Sequence, residues 1–386
     1  MGISFPPEVF RRIVYATYDG VYNVRNPLKV DRKRMPWLSL LQKQKDNAPL
    51  AGANGVVLKY KLQSNLDIQG WERKDTLQFN EQNIELDTQF PWANIHEGWE
   101  IVHDDLEAMG YTILPNQARG KNFAKLDSES DAFRLVDYLK EGIESMMDKM
   151  DVNTDQVTLR DNSANPKLPQ GLDAYWPVGV APGMVTDAGG TYGYYNLGSV
   201  GGKLRSQYPD VLQHFLWLNA TYGAAGSLRI ALNFAKREAE LRSRGRSKGG
   251  IRAILAGSRA LDKYVKFATV NNTNYTTSFV PLDPNGVKML DIGIPDSGLH
   301  FEGVPIVHCP TFEILDRIEN PTFKWTDRMV MIDPESFGEA FAPGKENYFS
   351  APMDEGDTRV TRLSLDSKMV MLPKIVNANT IVHIGA

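Results

Sequence analysis

Residues 84–101 read IELDTQFPWANIHEGWEI, and their first half alternates apolar with polar side chains at every second position. A period of two is typical of a strand with one buried face and one solvated face. The same alternation occupies residues 56–63, VVLKYKLQ, and the polar, amide-rich residues 64–83 lie between the two segments. Together the two segments predict a long β-hairpin, with Gly70 and Trp71 at its tip.

An isolated two-stranded ribbon is only marginally stable in water, so the apolar face of this hairpin needs a cover. Another subunit is the natural candidate. The hairpin region is also acidic, because residues 71–107 hold two basic residues against ten acidic ones. Residues 1–46 have the opposite balance, with nine Lys and Arg against four Asp and Glu. We expect this basic arm, extended or partly helical, to lie against the acidic surface of its own or a neighbouring subunit.

Composition excludes several classes of protein. A length of 386 residues favours two lobes over one core, and 42% hydrophobic with 23% charged residues is typical of a globular chain. A net charge of −4 provides no overall basic field for nucleic acid or acidic membranes. The single cysteine, Cys309, lies in an apolar run and is interpreted as a buried thiol in a reducing cytoplasm. No apolar run is long enough to span a bilayer, and the N-terminus lacks a signal-peptide core.

Residues 128–151 contain the clearest helical pattern in the sequence. Ser128 followed by Asp131 approximates a capping box. Apolar residues then recur at steps of three and four, which places them along one face of a helix. These residues are Ala132, Val136, Leu139, Ile143, Met146 and Met150. Because Gly142 interrupts the heptads, we expect this helix to lie on a sheet and not in a coiled coil.

The second half of the chain reads as an irregular connector followed by helices and strands. Residues 171–202 are rich in Gly, Tyr and Pro but lack the glycine spacing of a dinucleotide site, and we expect a connector with close backbone approaches. Residues 209–241 are expected to form a helix, interrupted near Gly223 and Gly226. A short helix is expected at residues 260–268. Strands are expected at residues 251–258, 286–294, 304–310, 328–334, 360–365, 369–378 and 380–386.

No motif in the sequence supports catalysis. His96-Glu97 resembles the start of a zinc-protease motif, but that motif needs a second histidine four residues later, and here His103 follows after seven. A Ser-His-Asp triad stays open because triads are defined by geometry and not by order, although no nucleophile-elbow pattern is present. We therefore expect no enzyme activity, no cofactor and no metal. The remaining histidines are interpreted as core or surface residues: His214, His300, His308 and His383.

Residues 242–250, RSRGRSKGG, concentrate positive charge at the end of a predicted helix. A phosphate-binding loop is excluded, because Lys248 precedes the paired glycines where that motif needs it after a glycine. Three interpretations stay open: a solvated turn, a contact with a neighbouring subunit or scaffold, and a weak contact with DNA phosphates. A turn is favoured, because cations are favourable at a helix C-terminus and no aromatic residue lies nearby for base stacking.

The order of these segments resembles that of the major capsid proteins of tailed bacteriophages, which have the Hong Kong 97-type fold. The resemblance rests on the basic arm, the hairpin ending in FPWANIHEGWEI, the long helix, the connector with GLDAYWP, and the helix-and-strand lobe. It implies an α+β chain with a long spine helix in its P domain. The implied parts are an N-terminal arm at residues 1–48, an E-loop hairpin at 49–108, the P domain at 109–204, an A domain at 205–345, and strands returning to the P domain at 346–386.

The resemblance also implies a function and its partners. The chain would self-assemble as hexamers and pentamers into an icosahedral shell around double-stranded DNA, in a virion assembled in the cytoplasm of a bacterial host. Implied partners are a portal protein, a scaffolding protein separate from this chain because Met1 directly begins the arm, a decoration protein, and DNA bound without sequence preference. An encapsulin-like nanocompartment shell is the alternative. Subunit contacts are expected at Arg32, Lys33, Arg34, Trp71, Glu85 and Asp87.

Overall fold

The structure of this chain, a computed structural model, combines helices with several runs of consecutive strands. The structure describes residues 3–5, 7–24, 34–44, 51–52, 54–62, 85–109, 111–113, 129–221, 227–243, 250–270, 299–353 and 360–385. The helices are α1 Pro7–Val24, α2 Pro36–Lys43, α3 His103–Ala108, α4 Glu129–Leu159, α5 Leu172–Tyr175, α6 Pro209–Leu212, α7 Ser227–Ser243, α8 Ser258–Val270 and α9 Thr311–Glu319. None of these described helices is long and apolar enough to cross a membrane.

The strands are mostly short. The first ten are β1 Ile3–Phe5, β2 Ala51–Gly52, β3 Gly55–Lys61, β4 Glu85–Pro91, β5 Ala93–Val102, β6 Tyr111–Ile113, β7 Val185–Asp187, β8 Gly190–Tyr195, β9 Ser199–Val200 and β10 Lys203–Leu204. The others are β11 His214–Ala220, β12 Ala253–Ala256, β13 His300–Phe301, β14 Val304–His308, β15 Arg328–Ile332, β16 Phe337–Phe341, β17 Tyr348–Met353, β18 Val360–Pro373 and β19 Thr380–Ile384.

The chain divides into two compact units, each built from three separate segments. Unit 1 comprises Met1–Val30, Ala93–Asp155 and Phe341–Met369. Unit 2 comprises Asp31–Trp92, Gln156–Ala340 and Val370–Ala386. The expectation of two lobes from chain length is therefore confirmed.

Unit 1 packs α4 on an antiparallel sheet. Strand β18 pairs with β5 on one side and with β17 on the other. The apolar residues of these strands, the stripe of α4 and one face of α1 form a single core, and α1 contributes Phe10, Val14, Tyr18 and Val21. The expectation that the arm is partly helical is confirmed by α1.

Gly142 explains how the long helix can lie so close to this sheet. A Cβ atom built on Gly142 would lie 2.1 Å from the Trp99 ring, so the indole occupies the space that any larger residue would need. A glycine inside a helix lowers helix stability by about 1 kcal/mol relative to alanine. The close packing of Trp99 explains why a glycine is present at this position. The expectation of a helix on a sheet is confirmed.

The details of α4 differ from the sequence pattern in two respects. The helix continues to Leu159, where the pattern predicted an end at Asp151, because no helix breaker intervenes and Leu159 packs in a core. Val136, assigned to the apolar stripe, is 36% exposed, whereas Leu139 and Ile143 are fully buried as predicted. The side chains of Ser128, Asp131 and Ala132 lie outside the described residues.

Unit 2 is organised around an eight-stranded mixed sheet in the order β13-β14-β12-β15-β19-β11-β8-β7. Its two faces belong to two separate apolar clusters, as strand β12 illustrates: Ile254 and Ala256 belong to one cluster, and Ala253 and Leu255 to the other. Helices α7 and α8 supply the first cluster, and α2, α5 and α9 supply the second. The central strands are therefore buried on both sides, which is typical of strands that read as continuous apolar runs.

The helix predicted over residues 209–241 is wrong in its first half. His214–Ala220 forms β11, a central strand between β19 and β8, and the helix begins only at Ser227. The run HFLWLNA is apolar at successive positions because its side chains enter both clusters, and such a run does not distinguish a buried strand from a buried helix. Within the expected irregular connector, Gly190–Tyr195 is likewise a strand of the sheet.

Most other predictions for the second half are confirmed. Strands occur where they were expected at β12, β14, β15, β18 and β19, and α8 covers the predicted short helix. The strand predicted at residues 369–378 is wrong in its second half, because β18 ends at Pro373 and Val376–Ala378 forms a 3-10 turn. Cys309 is fully buried, as interpreted. The strand predicted at residues 286–294 lies outside the described residues.

We expect Ile143→Asp to give insoluble protein, because an unpaired carboxylate would replace a fully buried side chain at a cost of more than about 3 kcal/mol. Val136→Asp is the matched control, since it makes the same exchange on the same helix at a partly exposed site and should cost less than about 1 kcal/mol. Soluble yield and denaturant unfolding measure both. Equal behaviour of the two variants would contradict the position of α4 on the sheet.

Candidate subunit-interaction surfaces

The hairpin predicted from residues 56–63 and 84–90 is present at its root. Strands β3 and β4 pair antiparallel, with Leu58 opposite Thr88 and Tyr60 opposite Leu86, and β2 extends the sheet on the other side of β3. The alternation along β4 places successive side chains on opposite faces, one buried and one exposed. The predicted tip, including Trp71, lies outside the described residues.

The buried face of this root packs within its own subunit. Val56, Tyr60 and Phe90 belong to the same apolar cluster as Tyr175, and the Phe90 ring meets the Tyr175 ring edge-on at 5.8 Å. The Tyr60 hydroxyl donates a hydrogen bond to the carbonyl of Pro373, and burial raises the pKa of that hydroxyl. The apolar face of the root is therefore covered, as expected, but by α5 and the chain near Pro373 of its own subunit and not by another subunit.

The exposed face of the root has a charge pattern of its own. Lys59 Nζ lies 2.9 Å from Glu85 Oε2, and Asp87 stands directly opposite Lys59 in the strand register. The hydrogen bond to Glu85, with the charges of Glu85 and Asp87, raises the pKa of Lys59, and Lys59 lowers the pKa of Glu85. The acidic charge at Glu85 is thus partly offset inside the same hairpin.

The predicted contact residues are only partly brought together. Glu85 and Asp87 share the exposed face of β4, and Arg34 is exposed just before α2. No hydrogen bond or ion pair among the described residues joins Arg34 to either acid. Arg32 and Lys33 lie outside the described residues, so the contact of the arm with the hairpin stays a prediction.

No pattern in the sequence singled out Arg205, which holds together the part of unit 2 that supports the hairpin. This side chain is 1% exposed, and its guanidinium donates to the carbonyls of Leu212 and Tyr175, both at 2.6 Å. Burial lowers the pKa of Arg205 to about 10, so it remains a cation at neutral pH. In the sequence it is one arginine of an ordinary Lys-Leu-Arg run, and only its burial distinguishes it.

Two histidines interpreted as core residues are buried in unit 2. His214 donates from Nε2 to the carbonyl of Pro177 at 3.1 Å, and its Nδ1 has no hydrogen-bond partner among the described residues. Burial, reinforced by the nearby Arg205 cation, lowers the pKa of His214 well below its usual value. Burial is also the main reason that the pKa of His383 is lowered to about 4.

The zinc-protease interpretation of His96-Glu97 was rejected from spacing, and the structure agrees. Both residues lie on strand β5, where successive side chains point to opposite faces. His96 Nδ1 lies 2.6 Å from Asp366, whose other carboxylate oxygen accepts from Ser350 and Ser364. These serines contact the acid and not the imidazole, and among the described residues no nucleophilic side chain is hydrogen-bonded to this imidazole. No three metal-ligating side chains come together among the residues that the structure describes.

Unit 1 carries an open groove of about 770 Å³ between α1 and α4. Its lining combines aliphatic side chains with polar and charged ones, and Val136 contributes its exposed side chain there. The remaining lining residues are Ile13, Ala16, Thr17, Gly20, Val21, Lys140, Glu144 and Asp148.

No protein-family model matches the chain, and its sequence matches none of the curated proteins. Among solved structures it is similar to the Cyanophage A-1(L) capsid asymmetric unit, with 13% identity, a TM-score of 0.60, and coverage of 92% of this chain and 93% of that chain. The capsid of a native GTA particle matches with 10% identity, a TM-score of 0.48, and coverage of 90% and 91%. The holo-SrpI encapsulin complex from Synechococcus elongatus matches with 8% identity, a TM-score of 0.44, and coverage of 90% and 88%. The first likeness shows a shared fold across nearly all of both chains.

We expect acid to destabilise unit 2 through its buried histidines. An unfolded histidine takes up a proton near pH 6.5 while the folded one stays neutral, so the unfolded state binds more protons and stability falls as pH drops below 6.5. For His383, whose folded pKa is about 4, the loss between pH 6.5 and 4 is up to about 3 kcal/mol.

His214→Gln and His383→Gln should each flatten this decline, measured as the free energy of unfolding at successive pH values. Between pH 7 and 8 the slopes should equal that of the unsubstituted protein, because both histidines are neutral in both states there. Equal slopes in all three proteins between pH 6.5 and 4.5 would contradict the burial of these imidazoles as neutral groups.

Proposed function

We propose that this chain, which has the Hong Kong 97-type capsid fold, is the major capsid protein of a tailed bacteriophage. In this function it self-assembles into the icosahedral shell that encloses the double-stranded DNA of the phage. The observation that carries the proposal is the fold shared with the Cyanophage A-1(L) capsid asymmetric unit over nearly the full length of both chains. The lack of a catalytic constellation among the described residues is compatible with a structural role.

The proposed mechanism is mechanical. Subunits associate as hexamers and pentamers, and the arm and the hairpin strap neighbouring copies. Contacts that are weak one by one become strong when each subunit makes several of them in a closed shell. The division into an arm, E-loop, P domain and A domain at residues 48, 108, 204 and 345 stays a prediction.

The proposed partners are further copies of the chain, a portal protein, a separate scaffolding protein, a decoration protein and DNA. For the basic segment 242–250, only its first side chain is described. Arg242 donates to the carbonyl of Pro209 at 3.1 Å and lies over the Tyr194 ring at 3.6 Å. This favours a turn held within the subunit over a cation reserved for DNA. The other cations of the segment lie outside the described residues.

Expression of the full chain, alone and with a candidate scaffold, tests the proposal. We expect hexamers, pentamers or closed shells at micromolar concentration in analytical ultracentrifugation and negative-stain microscopy. Monomers alone under both conditions would contradict it. In particles from infected cells, nuclease-protected double-stranded DNA is expected for a phage capsid, and protein cargo without DNA would instead support the nanocompartment alternative.

We also expect the basic arm to contribute to shell stability. Replacing Arg32, Lys33 and Arg34 with Gln should lower the temperature at which shells dissociate, and the effect should shrink at high salt because screening weakens exposed charge pairs. Each such pair is worth only about 0–1 kcal/mol, but the shell repeats it in every subunit.

A charge-matched control removes three exposed cations from α7 and α8 instead, as Arg229→Gln, Arg237→Gln and Lys266→Gln. Subunit unfolding should be unchanged in both triple variants. Shells of the arm variant that dissociate like those of the control would rule out the arm contact.

A further inference from the structure

We infer that steric contact with the turn at Gly201 sets the direction in which the β3–β4 hairpin leaves unit 2. This inference rests on the proposed function, because the direction of the hairpin matters for the neighbour that it reaches in a shell. The turn joins β9 to β10, two short strands that pair with each other. Gly201 and Gly202 form it, both with positive φ angles of 53° and 80°.

The turn is held firmly to the body of unit 2. Val200 is buried in the cluster that also contains Phe90 and Tyr175. On the other side, the backbone N–H of Arg205 donates to the carbonyl of Gly198 at 3.1 Å, and its buried guanidinium binds the carbonyls that end α5 and α6. Because a buried cation with these hydrogen bonds is costly to displace, the turn cannot move away independently.

Strand β4 lies directly against the apex of this turn. The backbone N–H of Gln89 donates to the Gly201 carbonyl at 3.3 Å. A Cβ atom on Gly201 would lie 2.6 Å from Thr88 Cβ and 3.0 Å from Phe90 Cζ. Ordinary contact begins near 3.4 Å, so an added methyl group would require Thr88 to move by about 0.8 Å.

Neither neighbour can yield by itself. Thr88 and Phe90 are fully or almost fully buried, and the Thr88 hydroxyl donates to the carbonyl of Leu58 on the paired strand. A group added at Gly201 would therefore push β4 together with β3, and the hairpin would tilt as a body. Thr88 stands opposite Leu58, midway along β3, and the three further residues to Lys61 extend about 10 Å beyond that point, so a small tilt at the turn becomes a larger displacement at the outer end of β3.

A tilt of this kind changes shell geometry. The rotation between neighbouring subunits determines whether repeated contacts form a closed shell, and it sets the radius of that shell. If the hairpin straps a neighbouring copy, its direction contributes to that rotation in every subunit. The structure thereby assigns Gly201 as a positioning residue for shell size, through contact with the hairpin and not with the neighbour.

The chain offers a closely matched pair of variants. Gly201→Ala and Gly202→Ala both introduce a methyl group at a positive φ, so both carry similar backbone strain of about 1–2 kcal/mol. Only the first meets the hairpin, because nothing lies within 4 Å of a Cβ atom at Gly202. We expect Gly201→Ala shells to differ in diameter or to remain open, and Gly202→Ala shells to keep the original diameter. Gly201→Ala shells of the original diameter would overturn the role in shell size.

A second measurement does not depend on assembly. Spin labels at Lys61→Cys on β3 and Arg237→Cys on α7 report the hairpin direction within unit 2, and Cys309 is too buried to be labelled. The label-to-label distance should shift in Gly201→Ala subunits and stay unchanged in Gly202→Ala subunits. An unshifted distance in Gly201→Ala overturns the inference and leaves the proposed function standing. If the unsubstituted protein never forms shells, the proposed function is contradicted. The label-to-label distance still tests whether the turn sets the direction of the hairpin.

Solubility provides a rescue test. Gly201→Ala could be expressed as insoluble protein while Gly202→Ala stays soluble. In that case, adding Thr88→Gly to Gly201→Ala removes the Cβ atom that clashes and should restore soluble protein with the original label distance. If the double variant stays insoluble while the Thr88→Gly single variant is soluble, the contact with Thr88 is not the cause of the defect, and the assignment is overturned.

Discussion

A single buried cation, Arg205, joins the parts of unit 2 that support the hairpin. Its hydrogen bonds run to backbone carbonyls at the ends of α5 and α6 and not to an acid, so peptide carbonyl oxygens compensate its charge. A buried charge is costly without such partners, so loss of any of these hydrogen bonds would destabilise the arrangement. The turn at Gly201 is fixed because Arg205 is fixed, and the hairpin root lies against that turn.

The two faces of the hairpin root differ in burial and in charge. One face joins the core of its own subunit through Val56, Tyr60 and Phe90, which attaches the root to the body of unit 2. The other face is charged and exposed, and Lys59 and Glu85 already form a pair there. In the proposed strap between subunits, an attached root would fix the direction of the hairpin, and a charged outer face would avoid the aggregation to which an apolar face is prone.

Periodicity in the sequence was informative wherever an element has one buried and one exposed face. The alternation along β4 predicted the hairpin, and the spacing of Leu139, Ile143 and Met146 predicted α4, because in both cases solvent imposes the pattern. The same reasoning failed for His214–Ala220, where burial on both faces removes the period and leaves strand and helix indistinguishable. Of the predicted contact residues, Glu85 and Asp87 lie on the exposed face that the alternation predicted. The ion pair of Glu85 with Lys59, and the position of Asp87 opposite Lys59, depend on the strand register.

The sequence by itself determined the local elements, the order of the arm, hairpin and long helix, and the resemblance in fold that this order carries. Only the tertiary structure decided which neighbours those elements meet. In the sequence, Gly142 lies within a helical pattern and Gly201 within a glycine-rich segment. In the structure, a side chain distant in sequence leaves no room for a Cβ atom at either position, Trp99 at Gly142 and Thr88 at Gly201. Arg205 reads as a surface arginine and is a buried anchor. The physical reason is that periodicity records exposure to solvent, whereas close approach and buried charge depend on atoms that the chain brings together only on folding.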